Sequence, residues 1–66
     1  MSLTKMWDVL GSPLEVEMTS NGFTTLWNKE EIVGVYAPNI DAQKLMVNEI
    51  QKRYPNWTPG EIRRKQ

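Results

Sequence analysis

Asn21-Gly22 lies in the run EVEMTSNGFTTLWN. Asparagine followed by glycine supplies the two positive-φ residues of a type I′ turn, whose twist suits a two-residue β-hairpin. A turn at those residues sets Met18 opposite Thr25 and Val16 opposite Trp27. One face of the hairpin then carries Leu14, Val16, Met18, Phe23 and Trp27. The other carries Glu15, Glu17, Thr19, Thr24, Leu26 and Asn28. Because side chains alternate along a strand, this register decides which residues reach the core.

The polar stretch NKEE follows, and IVGVY after it reads as a third strand. With Trp27 facing Ile32, the apolar face continues through Ile32, Gly34 and Tyr36. Val33 and Val35 join Leu26 on the opposite face. Gly34 has no side chain, so a neighbouring aromatic or helix can approach the sheet there. The expected meander spans roughly 14–19, 23–28 and 32–37.

Pro38-Asn39 ends the third strand, and Asn39 or Asp41 can cap a helix. In IDAQKLMVNEIQKRY the residues Ala42, Leu45, Met46, Ile50 and Tyr54 recur at helical spacing, and Pro55 stops the pattern. LTKMWDVLGSP before the sheet reads as one or two helical turns placing Leu3, Met6, Trp7 and Leu10 on one side. Thr58-Pro59-Gly60-Glu61 has the form of a capping box with proline at the first helical position, which predicts a short helix over 59–65. The expected fold is therefore α+β. A three-stranded antiparallel meander carries one main amphipathic helix, with short helical turns at both termini, in a single domain of residues 1–66.

Composition narrows the function. The chain of 66 residues lacks cysteine and histidine. That removes thiolate nucleophiles, disulfide frameworks, zinc fingers and histidine-based triads. Glu15 with Glu17, Glu30 with Glu31, and Asp41 are the candidate acids. Ser12, Ser20 and Thr58 suit turns and caps, since no histidine can activate them. A non-catalytic protein without cofactor or metal is the expectation. No apolar run is long enough to span a membrane and no signal peptide is evident, so a cytoplasmic location is expected. Met1-Ser2-Leu3 also has the form of an expression leader.

The net charge is zero, but it divides unevenly. Residues 1–39 carry −3 and residues 40–66 carry +3. The strand order followed by a packed helix resembles plant AP2-type domains and the arm-binding domains of some phage integrases. Those families read DNA with basic and aromatic residues on an exposed sheet face. The matching face here carries Glu15 and Glu17 and no basic residue, so that activity does not transfer. Helix, three strands and helix resembles double-stranded RNA-binding domains, but their lysine-rich helix start is replaced by NIDAQK.

Two functional expectations remain. In the first, the chain is a binding or regulatory module whose partner is another protein or a second copy, reached through Trp7, Leu26, Val33 and Val35. In the alternative, RYPNWTPGEIRRKQ contacts nucleic acid. Arg53, Arg63, Arg64 and Lys65 would meet phosphates while Trp57 stacks on a base. No membrane is expected as a partner.

Overall fold

The computed structural model describes residues 5–65. Leu3 and the candidate leader lie outside them. The fold is α+β: one helix packs on a five-stranded antiparallel sheet of order β4-β3-β2-β1-β5. The strands are β1 (Lys5–Val9), β2 (Leu14–Met18), β3 (Thr24–Asn28), β4 (Glu31–Tyr36) and β5 (Ile62–Arg64), with α1 (Ile40–Arg53) between the last two. The central meander forms as expected. Both terminal segments are strands where helical turns were expected, and so the sheet has five strands and not three.

The hairpin forms, but its register differs by one residue. Met18 pairs with Thr24, Val16 with Leu26 and Glu15 with Trp27. The cause is the turn. Gly22 has φ 90°, whereas Asn21 has no positive φ, so the type I′ geometry is not adopted. The Gly22 amide donates to the Thr19 carbonyl at 3.0 Å, and the Thr19 amide to the Phe23 carbonyl at 2.9 Å. These bonds describe a three-residue loop with glycine in the left-handed position. The Thr19 hydroxyl also donates to the Asn21 side-chain oxygen.

This shift exchanges the faces of Leu26 and Trp27. Leu26 is fully buried with Val16, Leu14 and Val9 against Met46 and Ile50 of α1, and Trp57 completes the cluster. Trp27 lies on the opposite face. Its pairing with Ile32 forms as expected, while Leu26 pairs with Gly34. Val33 is thus an extra residue in β4, a bulge that aims it back toward the core. Gly34 does admit an aromatic ring. A Cβ at that position would lie 2.5 Å from the Tyr36 hydroxyl.

Asn39 caps α1, its side-chain oxygen accepting from the Ala42 amide at 2.8 Å. Met46 and Ile50 are buried, but Leu45 is 61% exposed. The buried stripe is displaced toward Gln43 and Val47, while Tyr54 packs against the core as expected. Gln43 donates to the Thr24 hydroxyl at 3.2 Å and the Ala37 carbonyl at 3.4 Å. Its amide is satisfied at the sheet margin, so the polar side chain is accommodated there.

The C-terminal capping residues do meet. The Thr58 amide and hydroxyl both donate to the Glu61 carboxylate, at 3.2 and 3.1 Å. A tight turn follows in place of a helix, with the Glu61 amide donating to the Thr58 carbonyl at 2.9 Å. A seven-residue helix would have had one apolar anchor and a costly nucleus. As a strand the same residues pair with β1, setting Ile62 opposite Val9, Arg63 opposite Asp8 and Arg64 opposite Trp7. Trp57 is buried and its indole N–H donates to the Glu61 carbonyl at 3.0 Å, fixing the start of β5. At the other terminus, β-favouring Trp7 and Val9 lie between β2 and β5, where both backbone edges are paired.

Gly22 sets the register from two directions. Its φ disfavours an L side chain, and an added Cβ would lie 2.9 Å from the Pro38 ring. We expect Gly22→Ala to lower stability by at least about 1 kcal/mol in urea unfolding. Ser20→Ala, at an exposed loop position, should change it by less than about 0.5 kcal/mol. Equal effects would remove the turn from its role in fixing the register.

Candidate functional site

The sheet has one face covered by α1 and one open face. Pairing across the strands places Ile32, Val35, Thr25, Trp27, Glu15, Glu17, Met6, Asp8 and Arg63 on the open side. The face changes character from edge to edge. Near β4 it is apolar: Ile32 is 56% and Val35 60% exposed, with half-buried Trp27 beside them. On β2 it is acidic, and at β5 it is basic.

The acidic strip is held by its neighbours. Glu17 accepts from the Trp27 indole N–H at 2.9 Å, which orients the ring over the face. Lys65 donates to Glu15 and lies 3.6 Å from Asp8. The hydrogen bond to Glu15 is the main influence that raises the Lys65 pKa; desolvation opposes it, and the charges of Asp8 and Glu15 add to it. Glu15 and Glu17, the candidate acid pair, therefore each serve a structural partner.

The four predicted contact residues are dispersed. Leu26 is in the core, and Trp7 and Val33 are half-buried against it. Val35 alone is on the open face and widely exposed. Ile32 and Trp27 take the places that Leu26 and Val33 were expected to fill. The sequence signal for this was the glycine at the third loop position, combined with Thr19 and Phe23 as flanking partners.

The five residues of the alternative contact are also separated. Arg53 sits at the end of α1, bonded to Glu49 at 2.8 Å, an exposed pair that contributes under about 1 kcal/mol. Arg63 and Arg64 point to opposite faces of β5, and Lys65 is occupied by Asp8 and Glu15. Trp57 is 5% exposed. A base has no ring face of Trp57 on which to stack.

A second apolar surface was not foreseen. An open trough of about 720 Å³ runs between the hairpin tip and the start of α1, lined by Met18, Gly22, Pro38, Ile40, Lys44 and Val47 among others. Ile40 is 74% exposed beside it. Among the described residues, no helix is long and apolar enough to cross a membrane.

No protein-family model, curated protein or solved structure matches the chain.

The exchanged faces predict opposite mutational outcomes for two residues expected on one patch. Leu26→Ala should cost about 2–5 kcal/mol, the range for truncating a fully buried leucine. Val35→Ala should cost less than about 0.5 kcal/mol. Urea unfolding with an unchanged m-value checks both. A large loss at Val35 would mean that its face is covered.

Proposed function

We propose that this chain is a small, non-catalytic binding module acting in the cytoplasm through protein contacts. The contact surface is the β3–β4 part of the open sheet face, formed by Trp27, Ile32 and Val35. The observation that carries this reading is the contiguity of the three. Trp27 and Ile32 are cross-strand partners, Val35 is on the same face of the same strand, and both aliphatic residues are more than half exposed. Scattered exposed apolar residues are ordinary. A contiguous group that includes an oriented tryptophan has the composition of an interface core.

The Glu17 bond adds to this reading. A tryptophan ring held by its N–H presents a rigid apolar plane, and little side-chain freedom is lost when a partner covers it. The acidic strip beside the patch would disfavour a phosphate backbone and suit a partner with a basic rim. Three side chains cover too little area for a permanent complex, which points to a transient one.

The test is photo-crosslinking in the native cells. A photoreactive residue is placed at Ile32 and, as a control, at Lys52 on the solvent side of α1. Protein adducts should form from position 32, be absent from position 52, and disappear when Val35→Glu is added. Equal labelling from both positions, or adducts to nucleic acid from position 32, would overturn the proposal. The circular dichroism of Val35→Glu should match the parent, since Val35 is 60% exposed.

A further inference from the structure

The two edges of the sheet carry opposite charge. β4 and β5 are the outer strands, so each has one unpaired side. Glu30 lies in the turn just before β4 and Glu31 opens the strand, and Arg63 and Arg64 are on β5. All four are exposed, and none forms an ion pair among the described residues.

From this arrangement we infer that the chain associates head to tail, the β5 edge of one copy adding to the β4 edge of the next. Every neighbouring pair in the sheet is antiparallel, so β4 and β5 run in the same direction. A sideways translation of one copy then sets β5 parallel to β4 of its neighbour. The level of contact follows from the pairing. Arg63, Asp8, Glu15, Trp27 and Ile32 lie on one line across the sheet. In the translated copy Arg63 stands level with Ile32 of its neighbour and two residues from Glu30, while Glu31, between them, alternates to the other face. An arginine side chain spans that offset.

The symmetric alternatives are disfavoured by the same residues. Pairing β5 with β5 brings Arg63 and Arg64 against their own copies. Pairing β4 with β4 offers no basic partner to Glu30 or Glu31, which antiparallel pairing sets at opposite ends of the seam, and carries the ladder through the Val33 bulge on both strands. The overall charge of zero leaves no net repulsion between copies. A head-to-tail contact of this kind does not close on itself, so assembly is open-ended. β5 has three residues, which keeps each junction weak.

This inference goes beyond the proposed contact face and uses other residues. Sedimentation velocity over about 10 μM to 1 mM protein tests it. The weight-average mass should rise continuously with concentration, without a dimer plateau. The apparent association constant should fall at least ~10-fold between about 20 and 300 mM salt. Arg63→Glu with Arg64→Glu, and separately Glu30→Lys with Glu31→Lys, should each remain monomeric. An equimolar mixture of the two double variants should associate again, because each then offers an edge complementary to the other. That rescue also requires both variants to be folded. A parent that stays monomeric at low salt would overturn the inference, as would a dimer plateau or association indifferent to salt. If either variant unfolds, the parent's salt dependence and mass profile decide the question. The charge variants leave Trp27, Ile32 and Val35 in place, so the crosslinking result stands or fails separately.

Discussion

The register of the β2–β3 hairpin determines the rest of the structure. Gly22 alone takes a positive φ there, and the loop closes over three residues. A two-residue closure would have put Trp27 beneath the helix and left Leu26 outside. With the observed closure, Leu26 and Val16 meet under α1, and the larger indole turns outward to Glu17. The sheet therefore has a core with an aliphatic centre, completed by Trp57, under a single 14-residue helix. The aromatic surface is left on the opposite face. Core and candidate contact arise from the same turn, because strand alternation allows no register in which both residues point inward.

A second constraint is the return of the chain. After α1 the sequence has to reach the far side of β1, and Trp57 governs that step. Its ring is part of the buried core, and its N–H meets the Glu61 carbonyl that also accepts from the Leu10 amide. One carbonyl thus ties the crossover to the end of β1. The three basic residues beyond it are thereby set along a sheet edge. Their strand alternation sends Arg63 and Arg64 to opposite faces, while Lys65 folds back to Asp8 and Glu15.

Local patterns with one physical solution were legible in the sequence. The meander, the Asn39 cap, the helix span and its end before Pro55 required only alternation, capping and proline chemistry. Asn21-Gly22 announced a turn, but the dipeptide serves both two- and three-residue closures, and long-range packing chose between them. The terminal strands were hidden for a related reason. KMWDV forms a hairpin with LEVEM across residues 10–13, but its alternation spans only five residues, and EIRR has no partner nearby in sequence. β5 needs the free edge of β1, and only tertiary structure brings them together. The Thr58–Glu61 signal was chemically real, and its hydrogen bonds form, but they close a turn and do not start a helix. The candidate site inherited the hairpin error, which exchanged Leu26 and Val33 for Trp27 and Ile32.

Exposed apolar area alone would not single out the β3–β4 patch. A chain of 66 residues has too little interior to bury all its apolar side chains, and Ile40 and Leu45 are at least as exposed as Ile32 and Val35. The difference lies in preorganisation. Ile40 and Leu45 stand on α1 separated by charged Asp41 and Lys44, with no fixed aromatic neighbour. Ile32 and Val35 stand on a strand whose cross-strand partners are Trp27 and Thr25, and the indole is tied to Glu17. A partner covering that patch meets side chains already held by the sheet, so less freedom is lost per unit of area covered. The acidic strand next to it then gives the surface a polar boundary on one side only. On the proposed reading, that asymmetry would orient a partner with its apolar part over β4 and its basic part toward β2.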